Sequence, residues 1–209
     1  MDFNLENFYK KISVRSNFIF LIKISGLFAL CSFLFSLIGL IPSHFLDFGH
    51  FPDSQIIGNP LEVSLISFEH LLGHVIWGLA IGVSTFSVRL FILAGLFPLA
   101  LDADHLIQFF DLEMIHRFSH SVLFAVVIFI VFYFLFGKND IRLPILASAS
   151  VFAHISFDII LSGVSEFPFL IPFVGDTIEF GGISWIVFEI FSIIPVFLAS
   201  IFYLRNQKR

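Results

Sequence analysis

Charge is scarce in this chain: only 13% of its 209 residues are Asp, Glu, Lys or Arg, and the net charge is -5 at pH 7. That balance excludes the basic surface that nucleic acid selects. A single cysteine, Cys31, is present. It excludes a disulfide framework and a cysteine-rich zinc site. Gly-x-Ser-x-Gly is missing, so a serine nucleophile elbow has no sequence support, and Ser121 reads as a helix-start hydroxyl. His-Glu-x-x-His is missing too. The nearest stretch, "EHLLGH", puts its glutamate before the first histidine, and an intramembrane metalloprotease fits poorly. Long linkers, repeats and low-complexity tracts are also lacking.

What fills the chain instead is apolar. Mean hydropathy is +1.00, and the apolar runs approach the roughly 17 to 25 residues that cross a bilayer as a helix. The expected fold class is an all-α integral membrane protein of about six transmembrane helices in one bundle. The candidate spans are Asn17–Ile41, Val63–Phe86, Val88–Phe110, Ser119–Gly137, Leu143–Ser162 and Ile183–Leu204. Residues 1–62 read as a first span plus an outer loop, and residues 63–209 as the helical membrane domain. The first run is longer than a signal-peptide core and no small-x-small cleavage site follows, so a retained helix is expected.

Lys10, Lys11, Arg15, Lys23, Arg89, Lys138, Arg142, Arg205, Lys208 and Arg209 fall on one side of a six-span map, and only Arg117 on the other. The positive-inside rule then predicts cytoplasmic termini, in a multi-pass protein of the inner membrane of a prokaryote.

On that map all eight histidines lie in the outer half. His44 and His50, with Asp47 and Asp53, read as ordinary outer-loop residues. The others sit deeper, beside acids. Leu90 to Leu101 gives only twelve residues without a charge, about 18 Å of helix. The third span therefore carries Asp102, Asp104 and His105 into the outer leaflet or ends in a re-entrant dip. Ionisable groups at such depth cost several kcal/mol unless they face a bundle interior and have partners. Their spacing supplies the partners: His70/His74, His116/His120 and His154/Asp158 are i, i+4 pairs, and Asp102/His105 is i, i+3. Converging pairs of this kind build metal sites in helical bundles, and they also build proton relays. An N/O donor set without thiolate suits Zn²⁺, or another divalent first-row ion such as Mn²⁺. Ser119 reads as a possible cap of the fourth span, Gly78 and Gly82 as a close helix approach, and the phenylalanines as lipid-facing and packing material. Glu189, inside the sixth span, needs a partner within the bundle and is left out of the site.

Four segments in order, "EHLLGHVIWG", "LDADH", "HRFSHS" and "AHISFDIILSGVSEFPFLIPF", resemble the YdjM-type inner-membrane proteins, described as LexA-binding or membrane-bound metal-dependent hydrolases. The resemblance covers residues 68–175. Leu101 stands where that family has proline, and "HRFSHS" is one residue shorter between its histidines than the common form. More remotely, the pattern is similar to the zinc-dependent phospholipase C and P1-nuclease group.

The resemblance implies a hydrolase whose divalent metal, zinc foremost and one or two ions, activates water against an ester, a phosphoester in the remoter group. Its substrate would be a membrane lipid or lipid-linked molecule, met at the outer side. Asp102, His105, His120, His154 and Asp158 would be the core ligands, with His74 and His116 completing the shell and His70 the second choice to His74. Asp104 would orient a ligand or act as general base. Arg117 would hold a phosphate or carboxylate, or else pair with Asp111 or Glu113. Two other classes compete: an ion, proton or metal transporter, and a metal-stabilised scaffold without turnover. The inner half offers transport almost no matching polar path.

Overall fold

The computed structural model describes residues 14–39, 67–110, 117–138, 140–171, 173 and 177–207. Its helices are α1 (Val14–Ser36), α2 (Phe68–Gly82), α3 (Val88–Leu101), α4 (Val122–Phe132), α5 (Arg142–Ser162) and α6 (Ser184–Asn206). One feature departs from the all-α expectation: strands β1 (Val164–Phe167) and β2 (Ile178–Gly181) pair antiparallel between α5 and α6. Gly163 and Gly182 bound this hairpin with φ of 76° and 58°, a conformation that side chains with a Cβ resist.

Among the described residues, four helical stretches are long and apolar enough to cross a membrane: Asn17–Ser36, Val88–Ile107, Arg142–Ser162 and Ser184–Asn206. The other two expected spans are shorter. α2 has 15 residues, about 22 Å of helix. It starts at Phe68 because Ser67 caps it, accepting a hydrogen bond from the His70 amide, and after Gly82 a 3₁₀ turn follows. α4 starts at Val122, three residues later than expected, and ends in a π-helical turn, Tyr133–Gly137. Ser121, not Ser119, caps it by accepting from the Phe124 amide.

α5 is the central helix. Along its most apolar stretch 61% of residues are buried, against 22% for α1 and 28% for α6, so α5 is clothed by protein and the flanking two expose apolar sides. It packs on α6, α4, α3 and α2, while α1 lies against α3 and the segment after it. α2 and α3 approach closely because Gly78 and Gly82 have no Cβ. One built on Gly78 would stand 2.0 Å from the Ala94 carbonyl oxygen. Beneath α1, Phe28 stacks on Phe97 at 4.7 Å and meets Phe124 and Phe132 edge-on, all four fully buried.

At the end opposite the histidines, Arg142 is 7% exposed. Its guanidinium donates to both Asp140 oxygens and to the Thr85 carbonyl, and its charge sits 3.8 Å from the Tyr203 ring centroid. This basic residue, read from the sequence only as an orientation signal, ties together the α2–α3 junction, the start of α5 and the end of α6. Glu189 lies near Trp77 and Ser156, but its buried Oε2 has no hydrogen-bond partner among the described residues, so the partner expected within the bundle is not found there. It stays outside the histidine cluster.

Candidate metal centre

α3 ends where its apolar run ends. From Asp102 the chain tightens into a nine-residue 3₁₀ segment, Asp102–Phe110. Three residues per turn eclipse i and i+3, which sets His105 Nε2 3.4 Å from Asp102 Oδ1. His120 reaches the cluster differently from expectation. It lies in a turn ahead of α4, where the backbone of Arg117 adopts φ 60° and its carbonyl accepts from the His120 amide at 2.8 Å. The expected helical face shared by His116 and His120 is therefore not how His120 is presented; His116 itself lies outside the described residues, as do His44, His50, Asp47, Asp53, Asp111 and Glu113.

Two nests of donor atoms share two carboxylates. In the first, His70 Nε2 and His74 Nε2 are 2.9 Å apart. Asp158 Oδ1 is 3.2 Å from His74, and Asp102 Oδ2 is 3.5 Å from His70. In the second, His120 Nε2 and His154 Nε2 are 2.9 Å apart, with Asp102 Oδ1 and Asp158 Oδ2 at 3.3 and 3.5 Å from His154. Two donors bound to one ion at about 2.0–2.1 Å lie about 2.9–3.4 Å apart for angles between 90° and tetrahedral. These separations match that window or exceed it by a tenth of an ångström, while Asp102 Oδ2 lies farther from His74, at 3.9 Å. The His74 and His154 rings stack at 3.8 Å, so the nests are neighbours.

Hydrogen bonding to the far side of the second nest fixes what its Nε2 atoms are. His154 Nδ1 is 2.8 Å from the Pro98 carbonyl, which only accepts, so Nδ1 carries the proton. The Ser119 hydroxyl spends its proton on Asp104 Oδ2, so at 3.4 Å from His120 Nδ1 it can only accept, and Nδ1, which also stands 3.2 Å from that carboxylate oxygen, carries the proton. With both rings neutral, each presents a bare Nε2 lone pair, and the two face each other at 2.9 Å in a fully buried place. Lone pairs repel; a cation between them, a metal ion or a shared proton, removes the conflict.

The carboxylates agree. Among the described residues, all four oxygens of Asp102 and Asp158 are buried without a hydrogen-bond partner, as are both ring nitrogens of His105. An unpaired buried carboxylate costs several kcal/mol. These buried His/Asp groups could hold a metal ion: donor atoms of His70, His74 and Asp158, of His74, Asp102 and His154, and of His120, His154 and Asp158 form triads within 4.8 Å, as do those of Asp102, Asp104 and His105.

Asp104 stands behind the second nest. Its Oδ2 accepts from the Ser119 hydroxyl at 2.7 Å and from Ser36 of α1 at 3.5 Å, and His120 Nδ1 lies 3.2 Å from it. Ser119, expected as a cap, serves that carboxylate instead. Arg117 places Nη1 3.6 Å from Asp158 Oδ2. The structure thus gathers His70, His74, Asp102, Asp104, His105, Arg117, His120, His154 and Asp158 in one place.

Three contributors had no signal as such. The Pro98 carbonyl is backbone, and Ser36 belongs to the first span, outside the residues that the resemblance covers. Phe167 lies within a quoted motif, but nothing in its spacing says that its ring lies parallel to His120 at 5.8 Å.

Comparison with known proteins adds nothing to this geometry: no family model, no curated protein and no solved structure matches the chain.

Proposed function

We propose that this chain is a membrane-bound metal-dependent hydrolase, holding two divalent first-row ions, zinc foremost, recessed below the outer face of a six-span bundle. One observation carries the reading: two buried imidazole Nε2 atoms face each other at 2.9 Å, while no oxygen of two adjacent buried aspartates has a hydrogen-bond donor among the described residues. His70 and His74 would hold one ion and His120 and His154 the other, with Asp102 and Asp158 bridging, and His105 beside Asp102 on the more open side. The YdjM-type resemblance and the N/O donor set support the same reading.

Such ions supply a water acidified from a pKa of about 15.7 toward 7 and a polarised scissile bond. The chain's own part is orientation. The Pro98 carbonyl and Asp104 hold His154 and His120 in the ligating tautomer, as outer hydrogen bonds do in metal enzymes. Phe167, fully buried against His120, keeps bulk water off that flank. A substrate ester would enter from the lipid side.

Transport gains no support from the helices below the cluster. From His154, the same face of α5 continues through Ser150, whose hydroxyl is spent on the Leu146 carbonyl, to Ala147 and Leu143. α3 contributes buried Phe97, Leu93 and Leu90. Among the described residues that is an apolar plug.

The test is elemental analysis of purified protein, together with turnover of chromogenic phosphodiester and carboxylic ester substrates. We expect about two ions per chain, and loss of both metal and turnover in His120→Ala and Asp158→Asn. Wild-type protein without stoichiometric metal would end the reading. Metal with no turnover, and unfolding on its removal, would favour the scaffold.

A further inference from the structure

Arg117 is held in a costly way. Its left-handed φ of 60° is unfavourable by about 1–2 kcal/mol for a residue with a Cβ. Its charge lies 5.9 Å from the centroid of the Phe167 ring. Its nearest acid among the described residues, Asp158, is 3.6 Å away, beyond hydrogen-bond reach. Its side chain is 30% exposed, whereas those of His74, His120 and His154 are fully buried and that of Asp158 is 4% exposed. So the guanidinium stands at the rim between solvent and the buried cluster, with its donor fork unspent among the described residues.

The charges around it reverse with metal. With neutral imidazoles, Asp102, Asp104, Asp158 and Arg117 sum to minus two, and the site repels anions. Two divalent ions bring the sum to plus two and take up the Asp158 oxygens, which frees Arg117 from its only nearby carboxylate among the described residues. We propose that Arg117, seated on Phe167, is an oxyanion-binding position that metal loading switches on, and that the group it takes is phosphate. A phosphate group offers oxygens for two ions and for a guanidinium fork at once, whereas a carboxylate has only two oxygens to share among three cationic centres. This inference rests on the two-ion reading above and names its ligand class.

The test is titration of inorganic phosphate into zinc-loaded and chelator-stripped protein, followed by calorimetry and ³¹P NMR, in wild type, Arg117→Gly and Arg117→Lys. Glycine suits φ 60°, so R117G is expected to fold and to keep the wild-type metal content. Loaded wild type should bind one phosphate per chain and stripped protein none. R117G should bind at least about tenfold more weakly, the loss expected for a charge-assisted hydrogen bond, and R117K should fall between. If R117G does not fold, R117K decides by the same comparison.

Phosphate binding that is unchanged in the variants, absent from loaded wild type, or equal in stripped protein overturns the proposal. Wild type that never loads metal overturns the underlying reading instead. Competition by glycerol phosphate and by a short-chain phosphatidic acid separates sources: tighter competition by the lipid assigns a head group, and equal competition a free phosphate.

Discussion

Asp104→Asn exchanges one carboxylate oxygen for an amide nitrogen at nearly constant volume, yet it should weaken the second nest. In the wild type, Asp104 Oδ2 accepts from Ser119 and stands 3.2 Å from His120 Nδ1, and its negative charge there holds the imidazole proton on Nδ1. An asparagine keeps both neighbours only with its oxygen in the Oδ2 place, where a neutral amide holds that proton less firmly than a carboxylate. With the amide in that place instead, an N–H faces Nδ1 and requires a lone pair there, which moves the imidazole proton to Nε2, toward His154 Nε2 2.9 Å away, in the space a cation would need. Loss of such an outer partner costs about 10–100-fold in metal affinity, or about 1.4–2.8 kcal/mol. Competition against a chromogenic chelator at fixed pH measures it. Cobalt substitution adds a visible spectrum that reports ligand number, which a purely structural defect would leave alone. Ser119→Ala should cost less, because the carboxylate keeps its bond to His120. Wild-type affinity and an unchanged cobalt spectrum in the asparagine variant would refute the tautomer argument.

Chelation should lower the thermal midpoint in detergent, since the nests tie α2, the α3 extension, the turn before α4 and α5 together; ligand at a thousandfold excess over Kd is worth about 4 kcal/mol. Arg142→Met should destabilise by about 2–3 kcal/mol through lost charged hydrogen bonds to Asp140 and Thr85, with metal content per folded chain unchanged; equal loss of metal would show that the two ends are not independent. Gly78→Val should destabilise more, about 3 kcal/mol or above, because its Cβ meets the Ala94 carbonyl at 2.0 Å; a thermal scan with wild-type stability would contradict the close α2–α3 approach.

Depth and spacing made most of the candidate site legible. Ionisable residues in an apolar chain are few, and the cost of burying them forces them to meet, so Asp102, His154 and Asp158 follow from hydropathy alone. Periodicity paired His70 with His74, whereas the resemblance made a choice between them that the geometry does not make. One helical turn separates them, both Nε2 atoms reach the same nest, and the partners that recruit both are the oxygens of Asp102 and Asp158 on other elements. The shorter elements were illegible for a different reason. Hydropathy extends an apolar run until a charge stops it, whereas the helix stops where a cap or a tightened turn satisfies its ends. Ser67 and Ser121 therefore set the starts of α2 and α4 inside runs that composition alone would have carried further. The same shift explains Ser119. Two residues before the true cap, it is released from helix duty and turned to Asp104, and through it to His120. A cap displaced by two residues thus converts an ordinary helix-start serine into a partner that holds the orienting carboxylate in place.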